Sequence, residues 1–172
     1  MDQNTKAYKY NHKLIMDYLK NKNLLKFDCV LEVDKPNKFT CLLKEKYSMV
    51  DNCSGDFDVN IEIPDKQYSF MVFTSVIEHL FDPLYTLLEL KKHLKPNGKL
   101  FIACPKGTMF SPKYYWHFHE MTEGQLFMLL QRAGFKNIDY VEKPRYWGFR
   151  IGFRPLLRRV VDKYILSLWR LE

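Results

Sequence analysis

The chain holds five histidines and four cysteines, and these are the first side chains to test for chemistry. His79 lies a few residues past the apolar run Phe70-Met71-Val72-Phe73. An imidazole in that place can take a proton from a reacting group, or it can bond nearby backbone at a helix start. His117 and His119 flank Phe118, and H-x-H becomes a metal site only where further ligands converge; the spacing shows none. His12 and His93 read as surface residues. Cys29, Cys41, Cys53 and Cys104 make no C-x-x-C pair and no zinc-ligand spacing, so neither a disulfide framework nor a metal site is expected. They read as buried reduced thiols.

The elements that would carry these groups are clearest over residues 70–105. The opening apolar run is too short for a helix and suits a strand buried on both faces of a parallel sheet. Asp82 can cap a following helix and Pro83 suits its first position. Leu84, Leu87, Leu88 and Leu94 fall mostly on one face, and Lys91, Lys92 and Lys95 place positive charge at the negative end of the helix dipole. Pro96-Asn97-Gly98 turns the chain into a second apolar run, residues 100–104. Upstream, residues 9–20 read as an amphipathic helix, residues 29–33 as a first strand and residues 39–46 as a short helix. Downstream, Thr122 and Gln125 form a capping box for a helix that Gly134 ends, and residues 137–142 read as a strand.

The segments Glu78-His79-Leu80, Asp82-Pro83 and Leu94-Lys95-Pro96-Asn97-Gly98 resemble, in type and mutual spacing, the late motifs of class I S-adenosylmethionine (SAM) dependent methyltransferases of the small-molecule branch. In weaker form the resemblance covers residues 30–143. It implies an α/β three-layer sandwich, Rossmann-like, with a mostly parallel sheet. It also implies SAM as cofactor, with Glu32, Asp34, Lys35 and Asp51 on the cofactor side and Thr74 and Ser75 lining its methionine end. His79 would be the general base. Residues 106–120 form an aromatic loop placed to cover a substrate, with Tyr114, Tyr115 and His117 as candidate contacts.

Two departures from the family pattern are physical. Residues 34–38, Asp-Lys-Pro-Asn-Lys, stand where a glycine-rich loop would bring backbone N–H groups against the cofactor, and they contain no glycine. Pro36 also removes a donor, so this loop is expected to obstruct or poorly form the usual seat, with Lys35 or Lys38 pairing with the methionine carboxylate instead. Further on, a strand over residues 48–51 is followed almost at once by a candidate strand over residues 57–63. Parallel neighbours need a crossover of about a dozen residues, and residues 52–56 cannot supply it. Either a hairpin forms about Ser54-Gly55 or one strand leaves the sheet, and both abridge the N-terminal half.

At 172 residues and 47% hydrophobic composition one globular domain is expected, with a helical segment over residues 1–24 and a basic aromatic segment over residues 145–172. No signal-peptide pattern or membrane-length apolar run occurs, so a cytoplasmic location is the default expectation. The net charge of +7 equals that of residues 143–170 alone, where eight basic residues face the single acid Asp162. Pro155 can open a helix running through Trp169. Arg150, Arg154, Arg158 and Arg159 beside its aromatic face suggest an anionic membrane surface or an acidic partner; the bland alternative is a last antiparallel strand and a helix packed on the sheet. Nucleic acid is disfavoured, because no recognition motif accompanies the charge. Two functions stand at this point: a methyltransferase-like enzyme for a small molecule, with lipid-linked and saccharide acceptors among the candidates, or an inactive module of the same fold that binds a partner or a membrane.

Overall fold

A computed structural model describes residues 6–108, 115–144 and 163–172. In chain order the elements are α1 (Lys6–Asn21), β1 (Cys29–Glu32), α2 (Lys38–Lys44), β2 (Met49–Asn52), β3 (Ser54–Asp56), β4 (Asn60–Glu62) and β5 (Tyr68–Thr74). A single 3₁₀ turn, Ile77–His79, precedes α3 (Pro83–Lys92), β6 (Leu94–Pro105), α4 (Glu123–Arg132), β7 (Phe135–Pro144) and β8 (Lys163–Leu171).

Six strands form one sheet in the order β2-β1-β5-β6-β8-β7. The first four run parallel, and β8 is antiparallel to both β6 and β7. Alternate residues of the central strands feed two cores. Leu31, Met71, Phe73, Leu100 and Ile102 pack towards α3 and α4, which contribute Leu87, Leu90, Leu126 and Leu130. Val30, Phe70, Val72, Phe101 and Ala103 pack towards α1 and α2, which contribute Ile15, Tyr18, Leu19, Phe39 and Leu43. Helices on both faces of a mostly parallel sheet make this the three-layer Rossmann-like fold.

The central β-α-β unit forms and its helix starts as the local signals indicate, but α3 already ends at Lys92 and Pro96-Asn97-Gly98 lies inside β6, where the pairing with β5 jumps from Tyr68–Leu94 to Phe70–Lys99. Asp82 accepts from the Tyr85 N–H at 3.1 Å with Pro83 in the first turn, and Thr122 and Gln125 close a capping box on α4. Gly134 leaves α4 with φ +86°, a conformation that favours glycine. The buried face of α3 is Pro83, Thr86, Leu87 and Leu90, whereas Leu88 is exposed. The expected leucine stripe is thus displaced.

The abridged edge takes a mixed form. β2 pairs parallel with β1; no helix follows it, and β3 and β4 form a separate antiparallel hairpin. Its turn lies at Phe57-Asp58-Val59 rather than at Ser54-Gly55, and the second strand is only Asn60–Glu62. Gly55 sits inside β3 at φ +79°, where an added Cβ would lie 2.3 Å from the Asn60 carbonyl oxygen.

The helix expected through Trp169 is overturned over residues 163–171, which form β8 between β6 and β7. Tyr164, Leu166 and Leu168 enter one core, and Ile165 and Trp169 enter the other. Tyr164 and Trp169 are therefore core residues, not membrane anchors. Arg150, Arg154, Arg158 and Arg159 lie outside the described residues. Cys53 and Cys104 are buried thiols, while Cys29 is half-buried and Cys41 exposed. His12 is not a surface residue: it packs on Phe39 with ring centroids 4.5 Å apart, and burial holds its pKa down at about 4. Among the described residues no helix is long and apolar enough to cross a membrane.

Candidate active site

β1 has β2 on one side and β5 on the other, so the chain order reverses at the β1–β5 boundary, where open α/β sheets hold their ligands. A cavity of about 550 Å³ opens there, bordered by Asp34 and Lys35 after β1, by Ser75, Val76, His79 and Leu80 after β5, and by the Gly55–Asp58 part of the hairpin. Its size suits a small molecule.

The β1 side is a turn closed on itself. The two Asp34 carboxylate oxygens accept from the Lys35 N–H at 2.7 Å and from Asn37 Nδ2 at 2.8 Å. Asn37 Oδ1 accepts from the Phe39 N–H at 2.7 Å, and the Asn37 N–H donates to Thr40 Oγ1 at 2.8 Å, so side chains of the turn cap α2. Among the described residues only Asn23 and Ser75 combine a side chain with positive φ, so this turn needs no left-handed residue and hence no glycine. Below it, Asn52 Nδ2 donates to Glu32 Oε2 at 2.8 Å and to the Asp34 carbonyl at 3.1 Å, tying β2 to β1. Burial raises the pKa of both Glu32 and Asp34, against the lowering effect of those hydrogen bonds.

On the β5 side Ser75 has φ +55°. Its N–H donates to the Ala103 carbonyl at 2.8 Å and its hydroxyl is bonded to the Tyr164 hydroxyl. Next comes the 3₁₀ turn carrying His79. His79 Nδ1 lies 2.7 Å from the Trp116 carbonyl oxygen. A carbonyl only accepts, so Nδ1 carries the proton and, in the neutral ring, Nε2 carries the lone pair. Burial lowers the pKa of this imidazole, which favours that neutral form. The aromatic loop is docked on the same turn: the Phe118 and His119 N–H groups donate to the Glu78 carbonyl at 2.8 and 3.1 Å, and Phe118 stacks on Phe81.

Of the residues expected on the cofactor side, Asp34, Lys35 and Ser75 border the cavity, as does His79. Glu32 and Thr74 are buried beneath it, at 1% and 8% exposure. Asp51 turns elsewhere, accepting from Lys66 Nζ and the Tyr68 hydroxyl at 3.0 Å each; Asn52, one residue on, holds the strand end. Tyr115 is 84% exposed and borders nothing in the cavity, while Tyr114 lies outside the described residues. His117 stands behind His79, with ring centroids 4.8 Å apart, and its Nδ1 meets Glu120 Oε1 at 2.6 Å. Asp56 and Asp58 were not anticipated. Both border the cavity, and Asp58 Oδ1 fastens the hairpin by accepting from the Asp82 N–H at 2.7 Å. Only a hairpin folded over the strand ends could bring them there, and short sequence signals do not specify that docking.

Residues 20–140 match the family described as "Methyltransferase domain". The chain belongs to that family. A protein of Mycolicibacterium smegmatis, described as a probable S-adenosylmethionine-dependent methyltransferase, is 28% identical over 115 residues, which is 64% of this chain and 44% of that protein. The chain thus spans less than half the length of the curated relative it matches. Among solved structures, the cyclase SpnF superposes with a TM-score of 0.71 at 14% identity, covering 99% of this chain and 85% of that one. The 1,6-didemethyltoxoflavin-N1-methyltransferase of Burkholderia thailandensis, solved with bound 1,6-didemethyltoxoflavin and S-adenosylhomocysteine, superposes at 0.68 and 14% identity, covering 98% and 80%. At these identities the likeness shows the fold alone.

Proposed function

We propose that the chain is a SAM-dependent methyltransferase acting on a small molecule in the cavity between the ends of β1 and β5. The observation that carries this reading is the cavity itself, with a carboxylate and an ammonium, Asp34 and Lys35, on one wall and the Nε2-basic imidazole of His79 on the other. The residues fit the cofactor in an altered way. The Asn37 and Phe39 N–H groups at the start of α2 are already taken by Thr40 Oγ1 and Asn37 Oδ1, which favours side chains to meet its amino-acid end. Lys35 is the residue for its carboxylate and Asp34 for its amino group. Lys38, the first residue of α2, does not border the cavity.

When bound, SAM supplies an electrophilic methyl group on a sulfonium. The protein holds the acceptor in line with it, which is the main contribution to such displacements, and His79 Nε2 takes the proton that the acceptor loses. The docked aromatic loop, fixed by the Glu78 carbonyl, keeps that imidazole oriented through the Trp116 carbonyl.

Calorimetric titration with SAM and S-adenosylhomocysteine tests the reading. One site per chain is expected for either ligand. Lys35→Ala should weaken it about 10-fold or more, the loss typical of a charge-assisted hydrogen bond worth ~1.5–3 kcal/mol, while Lys38→Ala should not. Failure of the folded protein to bind either ligand would overturn it and favour a binding module of the same fold.

A further inference from the structure

We infer that Glu78, His79 and His117 form a site for one divalent transition-metal ion of the zinc class. One ligand atom from each of the three lies within 4.8 Å of the others. Two imidazoles and one carboxylate are the donor set that zinc and its neighbours prefer, with a position left for water or a substrate oxygen. The H-x-H pair misleads here, because His119 turns its Nε2 towards the Phe81 carbonyl, 3.3 Å away.

The surroundings of the two imidazoles are those of metal-ligating histidines. Such a histidine gives its second ring nitrogen to a carbonyl or a carboxylate, which fixes the tautomer and aims the other nitrogen at the ion. His79 Nδ1 is engaged by the Trp116 carbonyl at 2.7 Å and His117 Nδ1 by Glu120 Oε1 at 2.6 Å, so the assignment uses Nε2 of each ring. Glu78 is 2% exposed and the His117 side chain 5%, so these two side chains are held in a packed setting. The ligands are also pre-assembled. Glu78 and His79 are adjacent on the 3₁₀ turn, and two backbone bonds to the Glu78 carbonyl hold the loop that brings His117. With one candidate ligand atom of each residue already within 4.8 Å of the others, loading the site requires the side chains to adjust to the roughly 3.3 Å edge of a tetrahedron with ~2 Å bonds.

Of the three ligands only His79 borders the cavity. If the methyltransferase reading holds, an ion held there would occupy the Nε2 lone pair that otherwise serves as the base, and would itself supply acidifying charge to a hydroxyl that reached it. The site itself does not depend on that reading.

The test uses the full chain, stripped with a chelator and free of SAM, titrated with Zn²⁺ by calorimetry and with Co²⁺ by absorption. One equivalent per chain is expected, with affinity lowered at least about 10-fold in Glu78→Gln and His117→Ala, several-fold in the positioning variant Glu120→Gln, and unchanged in His119→Ala. Circular dichroism checks that each variant folds. Where one does not, X-ray absorption on the wild-type cobalt form counts two imidazoles and no sulfur if the assignment is right. No binding, binding untouched by both ligand substitutions, or a thiolate charge-transfer band showing capture by an exposed cysteine such as Cys41 would overturn it. SAM titration of the same metal-free protein is read separately, so either proposal can fail alone.

Discussion

The two walls of the cavity finish their strands in opposite ways. After β1 the polar groups are turned inward on one another: Asp34, Asn37, Thr40, Asn52 and Glu32 form a connected set of hydrogen bonds, with every backbone φ in the ordinary range. After β5 the chain takes a left-handed residue, Ser75, and presents an imidazole to the cavity. The first wall gains stability from its polar residues; the second accepts local strain at Ser75 and sets His79 beside the cavity. A loop without glycine is therefore a differently built wall, and the missing glycines follow from its closure by side chains.

The largest test of that contrast is Asn52→Leu. It removes the donor that meets the buried Glu32 carboxylate at 2.8 Å and the Asp34 carbonyl at 3.1 Å. Bonds to charged groups contribute ~1.5–3 kcal/mol, and a buried charge left short of donors adds a desolvation cost. A loss of about 2–3 kcal/mol in urea unfolding is expected. If Asn52→Leu costs less than about 1 kcal/mol, below the size of one ordinary hydrogen bond, the inward network is not what holds this wall.

A smaller contrast appears with pH. Glu32 has its pKa raised by burial, so its penalty is absent below the unfolded carboxylate value of 4.5 and grows as pH rises through the folded value. Glu142, on β7, is the reverse. Burial would raise it, but Lys106, Lys163 and Tyr140 together hold it down at about 2. Its contribution is present above 4.5 and is lost as pH falls towards 2. The stability gap between wild type and Glu142→Gln should therefore widen with rising pH, and that between wild type and Glu32→Gln should shrink or change sign. Urea midpoints measured across this range check the two slopes; parallel slopes would remove the distinction.

Much of the fold was legible where several local signals agree. Asp82, Pro83 and the flanking apolar runs mark the same β-α-β unit, and the Thr122–Gln125 box marks α4; the turn expected at Gly98 was not there, because Pro96-Asn97-Gly98 lies as an irregularity inside β6. β8 was not, because a strand buried on both faces shows no polar alternation. Tyr164, Ile165, Leu168 and Trp169 then satisfy a helical spacing as well as the two-sided packing they adopt. In the site, Asp34, Lys35, Ser75 and His79 were legible because strand ends locate them. Two features were not: the convergence of His117 on Glu78 and His79, and the acids of the hairpin. Both depend on where a loop docks, which residue spacing does not encode.

The smallest effect, and the most direct comparison of the two walls, comes from placing a glycine in each. Ser75 sits at φ +55°, where a side chain costs roughly 1 kcal/mol that glycine avoids. Ser75→Ala and Ser75→Gly lose the same bond to the Tyr164 hydroxyl, so their difference isolates the backbone. The glycine variant should be the more stable of the two by about 0.5–1 kcal/mol. Asn37 has φ −146° and caps α2, so glycine relieves no strain there. Asn37→Gly also forfeits the bond to Asp34 and frees unfolded-chain entropy, a net loss of about 1 kcal/mol. Supplying the glycine that this loop lacks should therefore weaken the protein, while supplying one after β5 should not weaken it relative to alanine. If Ser75→Ala proves at least as stable as Ser75→Gly, the left-handed residue carries no strain, and the two walls differ only in which side chains face the cavity.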